Sequence, residues 1–287
     1  MNKVETVLRR RLLDARNGEG GWGYEAFRTS RLEPTCWALL ALREPRDEAD
    51  RLLAAWPSRG GALLEHHDGL ANWSFHALAL STRLALGKAP AVELHPLANA
   101  LTEARGVAVK SSLNQRQDNS LQGWSWVDDT FSWVEPTAAA LLALKTCRAK
   151  GIVVAGLDKR IRDGEAVLLD RLCVTGGWNY GNSNVFGQQL PAHIPTTAMA
   201  LLALQDRAGE AFVERSLDYL EEHAVSSAST RALALTTLAL KKHGRSTTGV
   251  ENELREWIAS QPITDMLSTG TALCALEEPA ADELFAY

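Results

Sequence analysis

Long uninterrupted apolar runs are missing from this chain of 287 residues. No stretch reaches the roughly 20 residues that a membrane-spanning helix requires. The first residues, MNKVETVLRRRLLDARNGEG, contain no continuous apolar segment of the secretory kind. Basic clusters are also scarce: the longest is Arg9-Arg10-Arg11, and 30 Lys and Arg stand against 35 Asp and Glu, for a formal net charge of −5. That balance argues against nucleic acid as a partner. The four cysteines, Cys36, Cys147, Cys173 and Cys274, are far apart and form no C-x-x-C pair. Free thiols inside apolar helices, in a reducing compartment, are the expectation. A water-soluble cytoplasmic protein follows, and a 46% hydrophobic content is ample for one sizeable core.

What is present is periodic. Aromatic segments recur as GGWGY at 20–24, ANWSF at 71–75, GWSW at 123–126 and GGWNYG at 176–181. Their leading tryptophans, Trp22, Trp73, Trp124 and Trp178, are spaced by 51, 51 and 54 residues. Self-similarity at such a period marks repeated supersecondary units. Three of the segments precede a near-identical helical start: EPTCWALLAL at 33–42, EPTAAALLAL at 135–144 and IPTTAMALLAL at 194–204. HALALSTRLAL at 76–86, RALALTTLAL at 231–240 and TGTALCAL at 269–276 complete six.

Each of these six stretches is Ala/Leu-rich around nearly its whole circumference, the mark of a buried helix. Six amphipathic, more charged stretches alternate with them, at roughly 2–15, 47–56, 91–106, 158–172, 210–222 and 248–260. Outer and inner helices taken six times over describe an all-α (α/α)6 toroid occupying 1–287 as a single domain. The connectors 16–33, 58–72, 107–135 and 174–194 are long, and each leads into an inner helix. Long ordered connectors are usually functional, so a site is expected at the end of the ring where the inner helices begin.

GGWGY…EPT, GWSW…EPT and GGWNYG…IPTT resemble the prenyltransferase/squalene oxidase repeat of squalene-hopene cyclases, oxidosqualene cyclases and protein prenyltransferase β subunits. The resemblance covers nearly the whole chain. It implies an α/α toroid whose cavity takes an isoprenoid or another apolar small molecule; no cofactor is expected for this chain. A family cyclase generally pairs two such helical domains, which leaves room for a homodimer, a partner subunit and peripheral membrane contact.

Motif by motif the likeness is thinner. Where the cyclases carry D-x-D-D-T-A, this chain has Trp133-Val134-Glu135-Pro136-Thr137-Ala138, keeping the acid position and Thr137-Ala138. Trp126-Val127-Asp128-Asp129-Thr130 imitates the motif earlier, in the connector. The Asp, Cys and His that hold zinc in protein prenyltransferases have no counterpart: Cys36 has a helical setting, but Glu33 and Pro34 stand beside it. A D-D-x-x-D magnesium motif is absent, and no metal is expected.

Glu135, Asp128 and Asp129 are the candidate catalytic residues. Glu135 and Glu33 each precede a Pro-Thr pair that opens an inner helix. As general acids they would start a carbocation cascade by protonating an alkene, if burial or a neighbouring carboxylate keeps them protonated. As structural residues they would simply favour a helix N-terminus. Asp128 and Asp129 would raise one another's pKa facing a cavity, bind a cation, or sit as solvated turn residues. Trp37, Phe75, Trp126 and Trp133 fall outside the Gly-Trp register and are the aromatic cavity candidates, able to face a carbocation. Trp22, Trp124 and Trp178 are expected to brace the connectors. Glu33 and His193 complete the candidate substrate-binding set, with His193 in a connector rich in Asn.

Three functions fit these residues. The first is a terpenoid-cyclase-like enzyme working by carboxyl protonation. The second is a carbohydrate-active (α/α)6 enzyme using two separated carboxylates. The third is a non-catalytic toroid that binds an isoprenoid, a lipid or a protein.

Overall fold

The structure, a computed structural model, describes residues 3–43, 45–110, 116–261, 263–277 and 285–287. Ala/Leu stretches with little one-sidedness form the inner helices α2 (Leu32–Leu42), α4 (Trp73–Leu86), α6 (Val134–Ala149), α8 (Ile194–Ala203), α10 (Thr230–Lys242) and α12 (Met266–Leu276). Every residue of α2 is buried. The amphipathic stretches form the outer helices α1 (Lys3–Ala15), α3 (Arg46–Ala54), α5 (Ala91–Glu103), α7 (Leu157–Asp170), α9 (Ala211–His223) and α11 (Thr248–Ser260). On α9 the buried residues Val213, Ser216, Leu217 and Leu220 fall on one helical stripe.

The inner helices pack in chain order, α2 on α4, α4 on α6, α6 on α8, α8 on α10 and α10 on α12. Helix α12 then packs on α2, so the wall is closed. The outer helices cover its seams: α1 leans on α12 and α2, α5 on α4 and α6, and α11 on α10 and α12. The six-by-six toroid is therefore the observed architecture. Two small antiparallel hairpins decorate the connectors, β1 (Ser58–Arg59) with β2 (Ala62–Leu63) and β3 (Asn184–Val185) with β4 (Gln188–Gln189).

Small residues allow the wall to close. A Cβ on Gly270 of α12 would lie 3.0 Å from the Trp37 carbonyl carbon and 3.2 Å from the Ala38 nitrogen. A Cβ there would press on backbone, so glycine eases this approach.

Backbone hydrogen bonds collect the starts of four inner helices at one rim. The Leu32 N–H donates to the Glu65 carbonyl (3.1 Å), Trp73 to Trp126 (2.9 Å), Val134 to Tyr180 (2.9 Å) and Met266 to Tyr24 (2.8 Å). In each case the first N–H of an inner helix is satisfied by the connector entering the next one around the ring. The free N–H groups of a helix start need such partners.

A second device ties each connector to its helix. Thr35 Oγ1 accepts from the Trp22 N–H (3.0 Å) and donates to the Trp22 carbonyl (3.0 Å). Thr137 holds Trp124 in the same way (3.0 and 3.4 Å), and Thr197 holds Trp178 (2.9 and 3.2 Å). The indoles of Trp22, Trp124 and Trp178 donate to the carbonyls of Leu12, Leu101 and Leu168 at the ends of the preceding outer helices. The bracing role read for these three tryptophans is the observed one.

Trp73, aligned with them by spacing, occupies a different place as the first residue of α4. The equivalent connector position is Leu63, whose N–H donates to His76 Nδ1 (3.0 Å), 13 residues on, as Trp22 stands to Thr35 and Trp124 to Thr137. The interval of 51 residues at Trp73 does not reflect a shared structural role.

Candidate functional site

The ring axis is a narrow lumen. Its wall descends in helical steps: Trp37 follows Glu33 on α2 and Leu78 follows Ser74 on α4, four residues on in each case. A step of three then leads from Leu78 to Ser81, from Ala139 to Leu142 on α6 and from Met199 to Leu202 on α8. The open space among these side chains is about 30 Å³, about enough for one water molecule.

Polar groups gather at the rim where the inner helices begin. Glu33 is buried, and both carboxyl oxygens are engaged: Tyr24 Oη donates to Oε2 (2.9 Å) and Arg231 Nη1 to Oε1 (3.1 Å). Glu135 stands four residues before Ala139, as Glu33 does before Trp37, and accepts from Thr196 Oγ1 (2.8 Å). Burial pushes the Glu33 carboxyl above its ordinary pKa, and the charge of Glu135 adds to the rise. The Arg231 guanidinium and the Tyr24 hydroxyl pull the other way. Burial, with the adjoining Glu33 carboxylate, raises the Tyr24 phenol in turn. The result is a buried carboxyl at the mouth of an apolar channel whose pKa is shifted upward by burial, with a phenol and a guanidinium in direct contact.

The structure brings part of the proposed set to this place. Trp37 and Phe75 line the lumen with Glu33. Trp126 backs Phe75 edge-on at 6.4 Å between ring centroids. The remaining candidates lie elsewhere. Asp128 and Asp129 face an outer groove of about 540 Å³ together with Arg59, Trp73, Glu103 and Arg105. There the Trp73 indole donates to Asp128 Oδ1 (2.8 Å). Trp133 is more than one-third exposed and lines a separate, smaller groove with Val109 and Phe131. His193 precedes α8 and packs edge-on against Tyr180, with 4.6 Å between centroids. Cys36 is fully buried in α2, and burial pushes its thiol up to about 12.

Three site residues escaped the sequence reading of the site: Tyr24, Arg231 and Phe285. Arg231 had a signal. It opens RALALTTLAL one residue into α10, the position that Glu33 holds in α2 and Glu135 in α6. Phe285 had none, because its place depends on where the chain returns after α12.

No described protein family matches the chain by sequence, and no curated protein does. Solved structures match over nearly the full length. The type II terpene cyclase MstE from Scytonema superposes with a TM-score of 0.63 at 17% identity, covering 98% of each chain. The GH76 α-mannanase of Bacteroides thetaiotaomicron gives 0.65 at 12% identity, covering 97% of this chain and 96% of its own. The Candida albicans protein geranylgeranyltransferase-I complexed with GGPP gives 0.57 at 12% identity, with 96% and 90% covered. The fold is the α/α toroid these enzymes share. At such identity the likeness defines the class of architecture and leaves the chemistry to the residues.

Proposed function

We propose that the lumen binds the hydrocarbon chain of an isoprenoid and that Glu33 protonates it at the rim, as in a class II terpene cyclase. The observation that carries this reading is the buried Glu33 carboxyl, raised in pKa, at the head of a channel lined by Trp37, Phe75 and Leu78. A proton delivered from Glu33 to a terminal alkene leaves a tertiary carbocation, which the next double bond attacks. Loss of a C–H proton back to the Glu33 carboxylate ends the sequence, so the product is an isomer of the substrate and the acid is restored. Burial chiefly favours the Glu33 proton and the charge of Glu135 adds to it, while Trp37 and Phe75 present ring faces to the cation. The exposed Phe27 and Phe186 at connector tips are suited to peripheral contact with a lipid surface that would supply such a substrate. The terpene cyclase and prenyltransferase neighbours support the substrate class.

The test is incubation with farnesyl diphosphate, geranylgeranyl diphosphate and squalene, followed by product analysis. A cyclised isomer is expected from the native chain. Its rate should fall about 10²-fold or more in Glu33→Gln, less in Glu135→Gln, and hardly at all in Asp128→Asn. Absence of turnover with all three substrates removes the reading.

A second reading rests on the outer groove, where Asp128, Asp129 and Glu103 stand beside Trp73. Paired carboxylates beside an aromatic ring suit a sugar, and the mannanase neighbour supports this. Hydrolysis of mannan oligosaccharides that is lost in Asp128→Asn and kept in Glu33→Gln would select it.

A further inference from the structure

Among the described residues that line the lumen, Phe285 differs in origin. The others belong to inner helices, whereas Phe285 lies on the tail that follows α12. Its ring meets Trp37 edge-on at 5.7 Å between centroids, and it is 94% hidden from solvent, with 6% exposure. The tail is held at the opposite pole from Glu33. Gln205 Nε2 donates to the Phe285 carbonyl (2.7 Å), and Tyr287 Oη donates to the Ala203 carbonyl (2.8 Å) and lies 3.1 Å from Asp206 Oδ1. Lys145, fully buried and bridging Asp206 (2.6 Å) and Glu165 (2.7 Å), places its ammonium 5.5 Å from the Tyr287 ring centroid. Ala203, Gln205 and Asp206 follow α8 and Lys145 is near the end of α6, so the tail enters where the inner helices finish.

The size of the lumen makes this arrangement consequential. Ligand cavities run to about 300–1,000 Å³, and the free space here is about 30 Å³. Some wall group must leave before a hydrocarbon chain can enter. Displacing an inner helix would open the closed ring and expose its Ala/Leu faces. Displacing Phe285-Ala286-Tyr287 breaks the Gln205, Ala203 and Asp206 contacts at the pole and exchanges the Phe285–Trp37 contact for one between Trp37 and the ligand.

We propose that Phe285-Ala286-Tyr287 is a displaceable plug: Phe285 occupies the deep part of the ligand cavity, and an apolar chain entering from the Glu33 rim drives it out towards the opposite pole. The identity of the chain as an isoprenoid rests on the function proposed above; the plug itself does not. Apparent affinity is reduced by the fraction of molecules whose cavity is closed, so whatever loosens the plug must tighten binding.

The test uses full-length protein, native and as Phe285→Ala and Tyr287→Phe, with binding of farnesol, geranylgeraniol and the apolar dye 1-anilinonaphthalene-8-sulfonate. Phe285→Ala empties the cavity. Tyr287→Phe adds no space and removes the hydroxyl contacts with Ala203 and Asp206. Binding is expected to tighten about tenfold in Phe285→Ala and about threefold in Tyr287→Phe. Equal affinities across the three proteins overturn the plug. Tightening in Phe285→Ala without any in Tyr287→Phe also overturns it, since Phe285 is then a fixed floor. If the alcohols bind none of the proteins while the dye follows the expected order, the plug stands and the isoprenoid reading falls. Should Phe285→Ala fail to fold by circular dichroism, Tyr287→Phe decides alone.

Discussion

Glu33 and Glu135 start inner helices with the same Glu-Pro-Thr letters, yet their surroundings differ. Glu33 meets Tyr24 and Arg231, and Glu135 meets Thr196. An acid whose folded pKa is raised works at low pH and stops once it ionises. The decline of turnover with rising pH should therefore fall above the ordinary glutamate value of 4.5, measured as a pH–rate profile that Glu33→Gln abolishes. Folding linkage has the same sign: the stability that protonated Glu33 contributes is present below 4.5 and lost as pH rises through the folded pKa. His76 behaves oppositely. Burial lowers it from 6.5 to about 4, with the bond to the Leu97 carbonyl opposing. It stays neutral in the folded chain while the unfolded chain takes a proton, so stability is lost as pH falls from 6.5 towards 4. An NMR titration of the His76 ring should show no protonation at pH 5; a midpoint near 6.5 would contradict the buried, doubly bonded imidazole.

Among elements, the threonine clasps repeat most faithfully, and they explain why Pro-Thr recurs before Ala/Leu runs. Thr137→Val leaves the buried Trp124 N–H without its acceptor and should cost about 1–3 kcal/mol in urea denaturation. Gly270→Ala drives a Cβ against the Trp37 backbone and should cost about 1–3 kcal/mol by the same measurement. The inner and outer helices were legible from periodicity because apolar residues all round, or along one stripe, mark how many sides of a helix are covered. The clasp was half legible: Gly-Trp and Pro-Thr stand out in the letters, but their contact does not. Spacing misled at Trp73, because a local interval cannot report which residue meets the His76 ring.

For the whole molecule, closure is the decisive feature. Packing of α12 on α2 joins the chain's last inner helix to its first, and Arg231 of α10 reaches Glu33 of α2 across that junction. An open solenoid tolerates loss of a terminal unit, whereas a closed ring should not. Ending the chain at residue 261 removes α12 and uncovers apolar faces on α2 and α10. Circular dichroism should then lose its cooperative thermal transition; a truncated protein that still melts sharply would show that closure contributes little. Among the described residues no helix is long and apolar enough to cross a membrane.

The sequence alone determined the alternation of buried and half-buried helices, their number and the rim on which the aromatic connectors gather, because these depend on residue periodicities that survive without coordinates. Tertiary structure decided which carboxyl is buried, that Arg231 and Tyr24 meet it, that Asp128 and Asp129 face a separate groove, and that Phe285 fills the lumen. Each of those is a contact between positions remote in the chain, where burial and charge are set by neighbours that local patterning does not specify.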